Sequence, residues 1–162
     1  MSGDELIRRA ESAVEIAGAR TLFEEYGTSI GVDLCFQGFD EELAGLPGYY
    51  APPLGRLLLA GRETSPLGCV ALRPLPGSTL AQGVGEIKRL YVRPEARGTG
   101  LGAALARAVI AEARTIGYRE LKLDTLAAMT AAQALYASLG FRECAAYYHN
   151  PLGGTVYMRL TL

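Results

Sequence analysis

From Glu86 to Ala103 the chain reads Glu-Ile-Lys-Arg-Leu-Tyr-Val-Arg-Pro-Glu-Ala-Arg-Gly-Thr-Gly-Leu-Gly-Ala, an extended segment followed by a glycine-rich turn and the start of a helix. Glycine accepts backbone conformations closed to other residues and lets a ligand approach the main chain. Gly98, Gly100 and Gly102, with Thr99 between the first two, therefore make a turn able to wrap a guest. A helix beginning near Leu101 leaves its first N–H groups unpaired and aims the positive end of its dipole at that turn. Such a place binds anions, and phosphate is the expected guest.

The same residues satisfy a second pattern. Gly98-x-Gly100-x-x-Ala103 matches the dinucleotide fingerprint, and Asp124 stands in a later strand where a ribose-binding acid is sought. Two features oppose that reading. Arg93-Pro-Glu-Ala-Arg97 separates the strand from the first glycine, and too few residues follow Ala103 in a chain of 162 to build a second mononucleotide-binding half. A plain strand-to-helix connection is a third possibility, although three alternating glycines beside Arg97 exceed what a turn requires. Other chemistries fit less well. His149 is the only histidine and no nucleophile elbow accompanies it, which opposes a Ser/His/Asp hydrolase. Cys35, Cys69 and Cys144 are odd in number, far apart and without C-x-x-C spacing, so reduced packing cysteines are expected, with neither disulfide nor metal.

The elements that must hold the turn are read from composition and periodicity. With 49% hydrophobic and 20% charged residues and a mean hydropathy of +0.14, the 162 residues suit a single domain with a real core. The formal net charge is −1 and the basic residues are scattered, so neither nucleic acid nor an anionic membrane is an expected partner. No apolar run approaches the roughly 20 residues that span a bilayer, and Met-Ser-Gly-Asp-Glu-Leu-Ile-Arg-Arg is too charged for a signal peptide; a cytoplasmic protein is expected. A first strand is predicted at Leu6–Ala10, a helix at Ala17–Tyr26 ended by Gly27, and a short helix at Phe39–Leu46. A loop rich in Pro and Gly then carries the pair Tyr49–Tyr50, expected to be exposed. Arg56–Gly61 and Leu67–Arg73 read as a hairpin, followed by a strand at Gly85–Arg93. The helix Leu101–Ile116 closes on Gly117, and a strand follows at Leu121–Leu126. The next helix opens on a capping box, Thr130 with Gln133, keeps Ala132, Leu135, Tyr136 and Leu139 on one face, and stops at Gly140. Val156–Leu162 ends the chain as a strand. The class is α/β or α+β, a mixed sheet with helices on its faces.

Arg97-Gly-Thr-Gly100-Leu-Gly102 is the pattern Arg or Gln, two residues, Gly, one residue, Gly or Ala, and Ala132-x-x-Leu135-Tyr136 leads to Gly140-Phe141. With these two motifs in order, about half the chain resembles the GNAT superfamily of N-acetyltransferases. The resemblance implies a mostly antiparallel central sheet and a single domain, residues 1–80 shaping the acceptor side and 85–141 forming the acetyl-CoA-binding core. It implies acetyl-CoA as donor, a primary amine of a small molecule or peptide as acceptor, direct attack in a ternary complex, and, by family habit, a homodimer. Arg97, Gly98, Thr99, Gly100, Leu101, Gly102 and Ala103 would wrap the pyrophosphate in backbone amides. Leu90, Tyr91 and Val92 would lie where the family's strand bulges and offers an N–H to the carbonyl oxygen. One position departs: seven residues before Tyr136, where many members carry Asn, this chain has Met129, so that contact is absent or falls to Thr125 or Thr130.

An amine with a pKa near 10 is almost wholly protonated at pH 7, so a base must act. By resemblance it is Glu86, eleven residues before Arg97, although the side chain can equally pair with Lys88 on the same strand face. Tyr136 matches the general acid for the leaving thiolate, and can equally be a packing aromatic. For the acceptor, Glu24, Glu25, Asp33, Asp40, Glu41 and Glu42 with Phe36, Tyr49 and Tyr50 suggest either an acidic, aromatic pocket for cationic amines or ordinary helix surface. Tyr147, Tyr148 and His149 either wall that pocket or cap the sheet edge. A non-catalytic acyl-CoA-binding module would keep the turn without the chemistry at Glu86 and Tyr136. Thermal unfolding separates the ligands: saturating acetyl-CoA is expected to raise the melting temperature by roughly 5–10 °C and NAD to leave it unchanged, with the reverse result favouring the dinucleotide.

Overall fold

Leu57, Leu58, Leu59 and Ala60 form an apolar run without alternation, which a strand tolerates only when both of its faces are covered. In the structure, a computed structural model describing residues 7–31, 33–34, 38–151 and 153–162, they lie in β2 (Arg56–Arg62). Leu57 and Leu59 join Cys69 and Ala71 of β3 (Ser65–Pro74) in one core, and Leu58 and Ala60 join Val70 and Leu72 in another. Helices α1 (Ala13–Ser29) and α2 (Phe39–Ala44) cover the first face. Helices α3 (Leu101–Ile116) and α4 (Thr130–Ser138) cover the second.

The remaining strands are β1 (Ile7–Arg9), β4 (Val84–Val92), β5 (Glu120–Leu126), β6 (Arg142–Cys144) and β7 (Thr155–Thr161). Their order across the sheet is β1-β2-β3-β4-β5-β7-β6, and every neighbouring pair is antiparallel except β4 with β5. The fold is thus the mixed, mostly antiparallel sheet with helices on both faces, and not the parallel doubly wound sheet a dinucleotide half requires. Among the described residues no helix is long and apolar enough to cross a membrane.

Several local expectations are corrected. Helix α1 starts four residues before Ala17 because Ser12 caps it: the Glu15 N–H donates to Ser12 Oγ at 3.1 Å while the Ser12 N–H donates to the Glu15 carboxylate, also at 3.1 Å. Gly27 does not end it, and the helix runs on to Ser29. The glycine serves packing instead, since a Cβ there would lie 2.9 Å from the Phe39 ring. Helix α2 stops at Ala44 rather than Leu46. In α4 the capping box does not form. Met129 is the N-cap, and Gln133 Nε2 donates to the carbonyls of Leu126 (2.9 Å) and Ala127 (3.2 Å), tying the helix to the end of β5. Tyr49 is exposed but Tyr50 is buried, its ring meeting Phe23 edge-on. The short β6 carried no periodic signal. Leu6, Cys35 and Phe36 lie outside the described residues.

The α1 cap also yields a pH-dependent contribution. The Ser12 N–H chiefly, with Arg8 helping and partial burial opposing, holds the Glu15 carboxyl down to about 2. A depressed acid contributes stability that is complete above its unfolded value near 4.3 and lost as pH falls toward 2. Glu15→Gln is expected to lower stability by about 1 kcal/mol at pH 7 in urea melts, the figure for a partly exposed group, and the difference should vanish near pH 2.

Candidate active site

Strand β4 leaves its parallel neighbour early. The two pair only from Val84–Glu120 to Glu86–Lys122, whereas β5 stays paired with β7 from Glu120 to Leu126. Beyond Glu86 the strands diverge and a cleft opens between them. Lys88 and Leu90 line it from β4, Asp124 and Thr125 from β5, and Met129 and Tyr136 from the α4 side.

On its other edge β4 carries a bulge. Tyr91 pairs with Cys69 and Lys88 with Ala71, so Arg89 and Leu90 together oppose Val70 and neither has a register partner. Arg89 sits at φ 63°, a left-handed conformation that costs a non-glycine residue roughly 1–2 kcal/mol. Its buried guanidinium donates to both oxygens of Glu42 (2.9 and 3.1 Å) and lies over the Phe39 ring, 4.9 Å from its centroid. The Cys69 thiol donates to the Arg89 carbonyl at 3.3 Å, and burial pushes that thiol's pKa far up, which makes it a packing cysteine as expected. Leu90, the second residue of the bulge, lines the cleft.

The glycine turn meets this cleft at the far end of β4. Gly98 (φ 79°) and Gly100 (φ 83°) are left-handed, and nothing lies within 4 Å of where a Cβ would stand on either, so the space over the turn is open. Gly100 is the N-cap of α3, whose first turn holds no acidic residue. Arg97 Nε donates to the Val92 carbonyl at 3.0 Å and its guanidinium lies over Tyr91, while the Thr99 hydroxyl donates to Ala96 at 2.6 Å. Leu101 is buried in the core and Ala103 is half-buried in the first turn of α3. A Cβ on Gly102 would stand 3.8 Å from Val92 and 3.9 Å from Leu135, so the end of β4 and the starts of α3 and α4 converge here.

Two polar groups face the cleft on the α4 side. Tyr136 is buried, packs edge-on against Phe141 at 5.4 Å, and burial raises its phenol pKa so that it keeps its proton. Thr125 Oγ1 is buried without a hydrogen-bond partner among the described residues. Thr130, the other polar candidate near Met129, is exposed.

Glu86 and Tyr136 do not share a cavity. Glu86 is 2% exposed and lines an adjoining cavity of about 180 Å³ with Arg73, Tyr147 and Tyr148; Lys88 lines both spaces. The expected Glu86–Lys88 pairing is not formed. Glu86 Oε1 accepts from Arg73 Nε (2.9 Å) and lies 2.8 Å from its Nη2, and Oε2 accepts from the Tyr147 hydroxyl at 2.6 Å. Lys88 turns instead to Asp124, 3.3 Å away, because the diverging β5 presents that carboxylate to it. Asp124 also accepts from the Tyr148 hydroxyl at 2.7 Å. Burial alone would raise the Asp124 carboxyl, but the Lys88 ammonium and the Tyr148 hydroxyl outweigh it and leave it below the usual range. It is therefore committed, not a ribose ligand in waiting. His149 is exposed.

Of the acids and aromatics over α1 and α2, Glu41, Glu42, Tyr49 and Tyr50 line a cavity of about 310 Å³ together with Arg73. Glu25 pairs with Arg93 at 2.7 Å, Glu42 with Arg89, Glu24 and Glu41 are exposed, and Tyr50 is core. Glu25 and Glu42 thus hold arginines, while Glu41, though exposed, lines that cavity beside Glu42. Sequence reasoning missed Arg73, Lys88 and Arg89 as parts of the site, although buried cations in an apolar strand must find anions and Lys88–Arg89 between Ile87 and Leu90 was such a signal. Among the described residues no group of three or more His, Cys, Asp or Glu is placed to hold a metal ion.

Comparison with known proteins agrees with this geometry. Residues 17–141 match the family model of the acetyltransferase (GNAT) family. The chain is 44% identical over 144 residues to an uncharacterized N-acetyltransferase of Schizosaccharomyces pombe, covering 88% of this chain and 86% of that one. Among solved structures, an acetyltransferase from Streptococcus agalactiae superposes with a TM-score of 0.76 at 17% identity, covering 96% of this chain and 97% of that one. A GNAT-superfamily phosphinothricin acetyltransferase from Sinorhizobium meliloti, solved in complex with acetyl-CoA, gives 0.72 at 20% identity, covering 100% and 89%.

The buried pairing of Lys88 with Asp124 makes a specific forecast. Removing one partner leaves an uncompensated buried charge, so Lys88→Met is expected to destabilise by about 3–5 kcal/mol at pH 7. Because the Asp124 pKa is depressed in the folded state, the loss should be largest above the unfolded value near 3.9 and shrink as pH falls below it. Urea melts at pH 7 and pH 3.5 measure both; equal losses at the two values would sink the assignment.

Proposed function

The chain belongs to the GNAT acetyltransferase family, and we propose that it transfers the acetyl group of acetyl-CoA to a primary amine of a small molecule or peptide by direct attack while both are bound. One observation carries the reading. The divergence of β4 from β5 leaves a cleft between an open, glycine-built anion site at the start of α3 and a wall of buried carboxylates.

The residues present fit the donor. The unpaired amides at the start of α3 and the left-handed Gly98 and Gly100 suit a pyrophosphate, with Arg97 and Thr99 fixing the turn's shape. The orphaned Thr125 hydroxyl supplies the polar contact that Met129 cannot, so of the two threonines Thr125 takes that part. Bound acetyl-CoA supplies a thioester carbonyl. Its oxygen needs a donor as it gains charge, and the bulge at Leu90, next to Tyr91 and Val92, is the backbone assigned that part.

Glu86 takes the amine's proton, which requires that Tyr147 release Oε2 as the acceptor enters the adjoining cavity that Glu86 lines. Tyr136, held protonated by burial, gives its proton to the departing sulfur as the C–N bond forms and the C–S bond breaks. Release of free thiol from acetyl-CoA with an amine present measures both roles. Tyr136→Phe is expected to lower kcat about a hundredfold or more with little change in the KM for acetyl-CoA. Glu86→Gln should lower kcat/KM by a similar factor, with the deficit narrowing above pH 9 as the amine loses its proton unaided. Full turnover and an unchanged pH profile in Tyr136→Phe would refute the acid role.

A further inference from the structure

The walls of the cavity beside Glu86 carry charges in matched pairs, Arg73 with Glu86 and Lys88 with Asp124. Building on the acetyl-transfer reading above, we propose that this cavity is the acceptor subsite and that the acceptor is a small zwitterion of the α-amino acid kind, whose carboxylate is anchored by Arg73 and whose amine is received by Glu86.

The argument is one of charge conservation in a confined space. The free second oxygen of each carboxylate is already taken by a tyrosine hydroxyl, Tyr147 on Glu86 and Tyr148 on Asp124, so the wall has no spare negative charge to offer. A simple cationic amine on Glu86 Oε2 adds a second positive charge beside the Arg73 guanidinium, whose side chain is only 21% exposed, and one carboxylate cannot fully compensate both. Leaving one member of a buried pair uncompensated is strongly unfavourable. A molecule carrying both an ammonium and a carboxylate adds no net charge, its amine meeting Glu86 Oε2 and its carboxylate the open edge of Arg73.

Arg73 is built for its share. Its Nε and Nη2 both lie on the same Glu86 oxygen, and among the described residues its Nη1 has no partner, so an edge of the planar fork remains for a second carboxylate. Lys88 is the poorer anchor, more deeply buried at 5% side-chain exposure and engaged with Asp124. The position is also right for acetylation. Lys88 lines this cavity and the cleft alike, so an amine at the Glu86 wall lies where the two spaces join. The volume of about 180 Å³ and the closing rings of Tyr147 and Tyr148 suit a compact molecule.

The test compares free amino acids with their carboxamides, which keep the amine and lose the carboxylate, alongside polyamines and short peptide amides, by thiol release from acetyl-CoA. At least one amino acid is expected to show a kcat/KM about tenfold or more above its carboxamide, as a site that pairs a polar group discriminates against its absence. Arg73→Gln should bring that ratio close to one and Arg73→Lys should restore part of it. Any effect of the substitution on Glu86 itself acts on both substrates and cancels in the ratio, and a retained thermal shift with acetyl-CoA reports that the variants are folded. Carboxamides, polyamines or peptide amides used as well as the amino acids, a ratio unmoved by Arg73→Gln, or no amino acid acetylated at all would each overturn the proposal. If acetyl-CoA still raises the melting temperature and another amine is acetylated, the transferase reading stands without the zwitterion. If acetyl-CoA neither binds nor is consumed, the transferase reading itself has failed.

Discussion

Two strands that part inside a sheet leave backbone amides and carbonyls with no ladder partner, and buried backbone groups cannot stay unpaired at no expense. Every notable feature of this molecule answers that constraint. On the β3 side, the bulge at Arg89–Leu90 takes up the extra residue, and the Cys69 thiol meets the Arg89 carbonyl. On the β5 side, Gln133 reaches back from α4 to the last carbonyls of the diverging strand. The Thr125 hydroxyl, unpartnered among the described residues, is left on the wall of the cleft.

The same divergence explains the electrostatics. Had β4 and β5 stayed in register, Lys88 would have faced a paired neighbour; with the strands apart it reaches across to Asp124, and Glu86 is left to Arg73 on the other side. Each carboxylate then gains a tyrosine from the segment before β7, so Tyr147 and Tyr148 both wall the cavity and hold its acids in place. Their three-ring contact with Tyr157 fixes that segment against the sheet.

Much of this was legible in the chain. The glycines at 98, 100 and 117 encode left-handed backbone that few other residues adopt, so the turn and both ends of α3 could be read directly. The unbroken apolar run of β2 announced a sheet covered on both faces. Other parts depend on neighbours that local sequence does not name. The early start of α1 hinges on the reciprocal Ser12–Glu15 bonds, and Gly27 looked like a stop because its reason is the ring of Phe39, distant in the chain. Thr130 and Gln133 have the spacing of a cap, yet Gln133 finds better acceptors at the end of β5. Which acid each arginine takes, and the bulge that turns Arg89 inward, follow from strand register alone.

The Arg89–Glu42 pair joins two regions far apart in the chain. The guanidinium belongs to the motif-bearing half of the chain and is buried, and the carboxylate belongs to α2 in the N-terminal part. A hybrid made by grafting the segment before β4 from a relative that lacks an acid at the Glu42 position would strand a cation in its interior, beside the bulge that shapes the cleft. The two halves of this protein can therefore be recombined with others only as a matched set.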